Sequence, residues 1–291
     1  MTPTDNVTTG TLYVCGTPIG NLSDVSVRML DTLRDADVIA AEDTRQVAKL
    51  LTRFAITTQT LSYHEHNEAG QAPRLVARLK AGQNVALVSD AGMPGISDPG
   101  EAVIQAAIRE GIPVVPIPGP VAAVAGLVVS GLPTARWVFE GFLPREGKQR
   151  RRMLRTLVAE PRTLVFYEGP HRLLDTLTDM AEAFGPARPV AVARELTKAF
   201  EEVVRGTLES AIAHFSAHAP RGEITLVVGG CPDEEQPHAA PDMDSRLLAL
   251  LGQGMSKQDA SKQIAKELGV PKRDAYQRAL SLSANDPSEE Q

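Results

Sequence analysis

The stretch Ser89-Asp90-Ala91-Gly92-Met93-Pro94-Gly95-Ile96-Ser97-Asp98-Pro99-Gly100 decides the fold class. It follows an apolar run at 85–88, which predicts a buried strand, and it precedes apolar residues at helical spacing over 102–108. Such a loop lies at the carboxyl end of a parallel strand, where open α/β sheets bind ligands. We expect Asp98 to cap the helix and Pro99 to open it. Three glycines, two aspartates and two serines favour a binding loop over an inert turn.

Strands and helices alternate from residue 11 to residue 130, and this order predicts a largely parallel sheet. Polar or glycine-rich loops follow four strands, near Gly16, Glu42, Ser89 and Pro118. The first of these loops lacks the spacing of the dinucleotide-binding GxGxxG motif. Because the carboxyl ends of parallel strands share one edge, the four loops predict a cofactor crevice there.

A second, mixed α/β domain is predicted after Pro133, with an antiparallel edge strand near 200–206 and a last strand at 223–229. Two of its strands end in charged clusters, one at Glu168 to Arg172 and one at Arg194 to Lys198. These clusters predict either a site or a capped helix with surface charges. The predicted domain boundaries are 11–119 and 120–231.

Basic residues cluster in two other places. Arg150, Arg151 and Arg152 belong to a run over 145–155 that is opposed only by Glu146. That run is interpreted either as a solvated helix face or as a contact for RNA phosphates or a nucleotide. After a Pro- and Glu-rich linker at 232–243, residues 244–285 predict a helical module for RNA binding or docking, in which Lys257 and Lys262 are available. The tails 1–10 and 286–291 are predicted to be disordered.

Composition narrows the class of protein. The chain has 291 residues, of which 43% are hydrophobic and 23% charged, which is typical of a soluble globular protein. Its net charge of −6 argues against wholesale coating of nucleic acid, although a local basic face remains possible. Cys15 and Cys231 lack metal-ligand spacing and fit a reducing cytoplasm, and neither a signal peptide nor a membrane span is predicted. His64 and His66 would point to opposite faces of a strand, so we predict no metal site.

Eight motifs, taken in order, resemble a known family, the 16S rRNA (cytidine-2′-O)-methyltransferases known as ribosomal RNA small subunit methyltransferase I, within the tetrapyrrole methylase superfamily. The motifs are Gly16 to Leu22, Ala41 to Arg45, His66 to Glu68, Ser89 to Gly100, Pro118 to Pro120, Glu140 to Pro144, Phe166 to Arg172 and Arg194 to Lys198. The resemblance spans residue 12 to about residue 229. One departure is Met93, which stands where the family typically has threonine.

This resemblance implies two α/β domains that hold S-adenosylmethionine in the cleft between them, usually in a homodimer, with 16S rRNA or the small ribosomal subunit as the substrate. It assigns ten residues to the methyl donor, namely Pro18, Ser89, Asp90, Ala91, Gly92, Pro94, Ser97, Pro118, Gly119 and Pro120. For the reaction at a ribose hydroxyl, our hypothesis is that Glu168 or Glu195 accepts the proton while Lys198 or Arg172 stabilises the developing charge.

Two other functions are weighed against this one. A C-methylase acting on a tetrapyrrole precursor would belong to the same superfamily, but it would need neither the basic run nor the helical tail. A nucleic-acid-binding regulator would use the α/β part only to sense a ligand. The number of polar loops at strand ends favours an enzyme.

Overall fold

The computed structural model describes residues 9–232, 243–268 and 271–283. Two compact units divide the chain after Gly230. The described part of the first unit contains two five-stranded sheets with helices on both faces. The described part of the second unit is helical. The predicted α/β fold with a C-terminal helical module is confirmed.

The first sheet is entirely parallel, with the strand order β3-β2-β4-β1-β5. Two of its three inner strands, β2 and β4, are buried along their whole length, which explains why they are continuous apolar runs in the sequence. The strands are β1 Leu12–Cys15, β2 Val38–Ala41, β3 Thr60–Ser62, β4 Val85–Val88 and β5 Val114–Ile117.

Four helices cover the two faces of this sheet. Alternate residues of a strand point to opposite faces, so Leu87 packs against α3 and α4 while Ala86 and Val88 pack against α1 and α2. The side chains of Ser26 and Asp43 cap α1 and α2 by accepting hydrogen bonds from backbone N–H groups. The helices are α1 Val27–Asp35, α2 Thr44–Arg53, α3 Glu68–Lys80 and α4 Glu101–Arg109.

The predicted start of α4 is wrong. The helix begins at Glu101, with Gly100 in the N-cap position and no side-chain cap. Ser97 and Gly100 have positive φ angles of +61° and +146°, which a regular α-helix does not contain, so the helix begins only after Gly100. Asp98 therefore stays in the loop and does not cap the helix.

The second sheet is mixed, with the order β6-β7-β10-β8-β9. β6 and β7 are parallel, while β10 is antiparallel to both of its neighbours. The edge strand β9 returns antiparallel to β8, as the sequence predicts. The strands are β6 Trp137–Phe142, β7 Thr163–Glu168, β8 Pro189–Arg194, β9 Glu202–Thr207 and β10 Ile224–Val228.

Helix α5 (Ala122–Ser130) covers one face of the second sheet, and three other helices cover the opposite face. Gly126 lets α5 approach closely, because an added Cβ would lie 2.7 Å from Cγ2 of Thr225. On the opposite face Phe166 and Leu226 pack against the other helices, and α6 carries the basic run. These helices are α6 Gly147–Thr156, α7 Leu173–Phe184 and α8 Leu208–Ala217.

The second unit packs α9 Met243–Gly252, α10 Lys257–Leu268 and α11 Lys272–Ser283 around a small core that includes Leu247 and Ile264. Ser256 caps α10 by accepting a hydrogen bond from the Asp259 N–H (3.1 Å). Most of the predicted linker and of both predicted tails lies outside the described residues. Gly10 is buried and its N–H donates to the Leu79 carbonyl oxygen (2.8 Å), so this residue is part of the packed first unit. In the described ranges no helix is long and apolar enough to span a bilayer.

Candidate active site

The loops that follow the strands of the first sheet converge as predicted. Thr17 and Gly92 exchange backbone hydrogen bonds of 2.9 and 3.1 Å, which join the loops after β1 and β4. The loop after β5 packs against the same place, because a Cβ added to Gly119 would lie 2.4 Å from the Gly16 carbonyl oxygen. Glycine is therefore required at the point where these loops meet.

The loop after β2 joins the same edge through acidic side chains. The Asp90 N–H donates to Oε2 of Glu42 (3.2 Å), and the Asp43 N–H donates to Oδ1 of Asp90 (3.0 Å). Burial raises the pKa of both the Glu42 and the Asp90 carboxyl groups. The sheet edge thus holds acidic groups in surroundings that disfavour their charge.

A cleft of about 290 Å³ lies between this edge and the second sheet. Ile19, Val121 and Leu196 contribute apolar side chains to its wall, and Thr225 contributes from β10. Tyr167 enters from β7, where its hydroxyl oxygen accepts a hydrogen bond from the Ala123 N–H (3.0 Å). The cleft combines apolar walls with a few directed polar groups, as ligand sites do.

The structure brings four of the ten predicted donor-binding residues to the cleft, namely Asp90, Ala91, Gly92 and Ser97. Met93 also lines it. Ser89 and Pro94 are buried beneath the loop, where Ser89 Oγ lies 3.3 Å from the Gly92 carbonyl oxygen. The remaining predicted residues, which are Pro18 and Pro118 to Pro120, support the loops from outside the lining.

Asp98, which the sequence predicts as a helix cap, lies instead in the lining of the cleft. Burial together with the charges of Glu42, Asp90 and Glu223 raises its pKa to about 7. A hydrogen bond with the Ser89 side chain opposes this shift. The local signal was ambiguous, because an aspartate just before a proline and an apolar helical pattern is also typical of a helix cap.

Glu168 lines the cleft and is held by three neighbouring groups. Its side chain is 1% exposed and accepts hydrogen bonds from Thr176 Oγ1 (2.6 Å) and from the Gly169 N–H (2.8 Å). Arg172 lies 3.3 Å from it and donates to the carbonyl oxygens of Leu143 and Pro144. These contacts engage both groups, and their assignment as proton acceptor and charge stabiliser stays a prediction.

Glu195 and Lys198 form an ion pair at the rim of the cleft. Lys198 Nζ lies 2.8 Å from Glu195 Oε1 and 2.9 Å from Oε2 of Glu223, which itself lines the cleft. The hydrogen bond from Lys198 is the main cause of the lowered pKa of Glu195. A carboxylate with a lowered pKa is a weak proton acceptor, so the pKa disfavours this assignment, which stays a prediction.

The predicted RNA-binding arginines differ in exposure. Arg150 is 6% exposed, and its Nε donates to Oδ2 of Asp179 (2.6 Å), so it is not available to a phosphate. Arg151 is half exposed and Arg152 is exposed on α6. In the second unit Lys257 and Lys262 are both exposed.

The two histidines considered for a metal site have ring centroids 6.0 Å apart. Within the part of the chain that the structure describes, no three His, Cys, Asp or Glu residues are grouped so that they could hold a metal ion.

Both units of the chain match models of known protein families. The family model described as Tetrapyrrole (Corrin/Porphyrin) Methylases matches residues 11–212, and one described as RsmI C-terminal HTH domain matches residues 238–283. A Synechocystis protein named ribosomal RNA small subunit methyltransferase I is 48% identical, covering 95% of this chain and 99% of its own length. A protein of the same name from Halalkalibacterium halodurans is 50% identical and covers 92% of this chain and 93% of its own length.

Among solved structures, a uroporphyrin-III C-methyltransferase from Thermus thermophilus complexed with S-adenosylhomocysteine shares the fold, with a TM-score of 0.53 and 20% identity. The alignment covers 75% of this chain and 97% of that one. From the family match and the long, closely related sequences, this chain belongs to the ribosomal RNA small subunit methyltransferase I family of the tetrapyrrole methylases.

Proposed function

We propose that the chain transfers a methyl group from S-adenosylmethionine to the 2′-hydroxyl of a cytidine in 16S ribosomal RNA. The observation that carries this proposal is the cleft between the two sheets, at the carboxyl edge of the parallel sheet, in a chain whose near full-length relatives are named as rRNA methyltransferases. A tetrapyrrole acceptor and a ligand-sensing regulator are not favoured by these relatives. The reaction takes place in the cytoplasm, where the ribosomal RNA substrate is found.

The lining of the cleft fits this methyl donor. When bound, S-adenosylmethionine supplies a methyl group on a sulfonium cation, and the carboxyl groups of Glu42 and Asp90 provide a favourable environment for positive charge. Ile19 and Val121 offer apolar contact for an adenine ring. At Gly169, which also lines the cleft, an added Cβ would meet no protein atom within 4 Å, so the wall leaves space for a ligand.

The residues of the chain contribute mainly by positioning. The backbone of Ala91 and Gly92 is held by the bridge to Thr17, so the groups that face the cleft are fixed before a ligand arrives. Fixed groups that align two reactants lower the barrier of a displacement reaction by several kcal/mol, about 7–11 in the best intramolecular cases. The apolar walls exclude water from the reacting atoms.

RNA is held by basic surfaces on each unit. Lys148, Arg151, Arg152 and Arg155 lie on α6, and Lys257 and Lys262 lie on α10. The phosphate backbone responds to local clusters of positive charge, so these surfaces bind RNA although the whole chain has a net charge of −6.

We also propose that the chain is a homodimer. Helix α5 is apolar on nearly all sides, yet Val124 and Val128 are 45% and 68% exposed. A helix that is apolar all round is normally buried, which favours a second copy as the cover for this face. Light scattering on a size-exclusion column is expected to give twice the mass of the chain, and Val128→Glu is expected to shift it towards the monomer.

The proposed function is tested by transfer of radiolabelled methyl groups from S-adenosylmethionine to small ribosomal subunits that lack the modification. The expected product carries label at a cytidine linkage that resists alkaline hydrolysis, because a 2′-O-methyl group blocks cleavage of the adjacent phosphodiester. Binding of the donor without labelling of subunits or of naked rRNA would contradict the proposal and favour a small-molecule acceptor.

A further inference from the structure

We propose that Asp98 is the catalytic residue that accepts the proton of the ribose 2′-hydroxyl during methyl transfer. The inference rests on the proposed function and gives Asp98 the role for which the sequence suggests Glu168 or Glu195. In the balanced step, the hydroxyl oxygen gains the methyl group, and the electron pair of the broken carbon–sulfur bond stays on sulfur. The hydroxyl proton passes to a carboxylate oxygen of Asp98.

The backbone of the loop brings Asp98 into the cleft. Ser97 adopts a φ angle of +61°, in the left-handed region that non-glycine residues rarely occupy, and Gly100 follows at +146°. A Cβ added to Gly100 would lie 3.2 Å from the Gly95 backbone nitrogen and from Cδ2 of Leu87, so the turn is tightly packed. Such backbone strain persists only where the surrounding structure imposes it, and it is concentrated at functional sites.

Ionisable groups face Asp98 from several elements. The carboxyl groups of Glu42 and Asp90 follow β2 and β4, Glu223 precedes β10, and the Tyr167 hydroxyl comes from β7. Basic side chains lie behind these acidic groups. Arg45 interacts with Asp90, His64 interacts with Glu42, and Lys198 binds Glu223. The immediate neighbours of Asp98 are therefore mostly acidic.

These surroundings suit a proton acceptor. Partial burial and three neighbouring carboxyl groups raise the pKa of Asp98 to about 7, which is close to neutral pH. A general base is most effective when its pKa lies close to the working pH. Glu168 also lines the cleft, but its two oxygens accept hydrogen bonds from Thr176 and from the Gly169 N–H, and Glu195 is bound by Lys198. Asp98 lines the cleft with a hydrogen bond to the Ser89 side chain.

The test uses the full-length chain and small ribosomal subunits, with Asp98→Asn and the matched control Glu101→Gln. Glu101 lies three residues further along on the exposed first turn of α4 and carries the same charge. Donor affinity is measured by calorimetry, and the chemical step is measured as a single-turnover rate at saturating donor. We expect Asp98→Asn to lower that rate at least 100-fold with a donor Kd within about fivefold of the native value, and Glu101→Gln to leave both unchanged.

A second measurement follows the pH dependence. The native single-turnover rate is expected to rise about tenfold per pH unit below the pKa of Asp98 and to level off above it. Glu42→Gln removes one negative neighbour, so it lowers the pKa of Asp98 and moves this limb to lower pH. Carbon-13 NMR of the cofactor-free protein provides a readout that does not depend on activity, with a titration of the Asp98 carboxyl group near pH 7 expected.

Three results would overturn the inference. One is a single-turnover rate for Asp98→Asn within a few-fold of the native rate. Another is a large rise in donor Kd with an unchanged saturated rate, which would make Asp98 a donor-binding residue only. The third is an Asp98 titration near pH 4 in the NMR experiment. Failure of the native chain to label subunits is a separate outcome, which would overturn the proposed function and this inference together.

Discussion

Asp98 combines partial burial with like-charged neighbours, and both destabilise its ionised form in the folded state. Because its pKa is raised to about 7 when folded, the folded chain binds a proton there that the unfolded chain has already lost. The contribution of Asp98 to the free energy of unfolding is therefore greatest below the pKa of the unfolded chain, and it is lost as the pH rises through about 7. A strained, charged group of this kind is typical of sites where stability is exchanged for activity.

Asp98→Asn is therefore expected to stabilise the cofactor-free protein at pH 8. After discounting for the exposed part of the carboxyl group, the gain is about 1–2 kcal/mol, or a few degrees in Tm. The gain disappears at pH 4, where the native Asp98 is protonated in the folded state. Thermal unfolding of both variants at the two pH values checks this, and an equal Tm at pH 8 would argue against the raised pKa.

Arg150 shows how burial changes the role of a basic residue. Replacing it with alanine leaves the Asp179 carboxylate buried with only Arg151 nearby, at 3.4 Å. We expect Arg150→Ala to cost about 3 kcal/mol of the free energy of unfolding, because an unpaired buried charge is strongly destabilising. The exposed Arg152 is the matched control.

Arg152→Ala is expected to change stability by less than about 0.5 kcal/mol while weakening rRNA binding and its salt dependence. Urea unfolding and filter binding separate the two effects. The opposite pattern, with Arg152 essential for stability and Arg150 for RNA affinity, would contradict this division of roles.

At the scale of elements, the site depends on how closely the loops of the first sheet approach each other. Gly16 and Gly119 pack backbone to backbone, and the Thr17–Gly92 bridge holds the loops after β1 and β4 together. These contacts fix the carboxyl edge of the sheet without any side chain at the point of contact. Small shifts there move every residue that lines the cleft.

Gly119→Ala is expected to destabilise the chain by about 1–3 kcal/mol and to weaken donor binding, because the new Cβ has no space beside the Gly16 carbonyl group. Gly70→Ala is the matched control, since Gly70 lies in α3 with no atom within 4 Å of an added Cβ. We expect Gly70→Ala to stabilise the chain by about 0.5–1 kcal/mol. Chemical unfolding and donor titration of the two variants check the contrast, and equal effects would show that the close approach is unimportant.

At the scale of the whole molecule, the cleft lies within the first unit, while the helical second unit has its own small core. Binding of the donor and capture of RNA can therefore be separated experimentally. The second unit matches the family model described as RsmI C-terminal HTH domain, and short helices joined by a tight turn are a common nucleic-acid-binding arrangement.

A chain that ends at residue 232 is expected to keep the native donor Kd but to bind small subunits at least tenfold more weakly, because it lacks Lys257 and Lys262. The full-length double variant Lys257→Ala with Lys262→Ala is expected to show part of the same loss. Calorimetry with the donor and filter binding with labelled subunits measure the two affinities. Unchanged subunit binding by the shortened chain would assign RNA capture to the first unit alone.

The sequence by itself determined the α/β class, the strand-end loops that converge, the antiparallel edge strand and the family. These features follow from local periodicity, turn residues and motif order, which are all visible along the chain. It also located the loop that contains Asp98, although it placed that residue at a helix cap.

Only the tertiary structure decided which charged groups are available for chemistry. Asp98, Glu42 and Glu223 are far apart in sequence, and the fold brings all three to the cleft between the two sheets. There the charges of the two glutamates raise the pKa of Asp98. Arg150 has the same side chain as its neighbours Arg151 and Arg152 in the basic run. Its position on α6, however, makes it the one of the three that is buried against Asp179 of α7. Burial and long-range charge contacts leave no periodic signal in the sequence, so the roles of these residues depend on the folded arrangement.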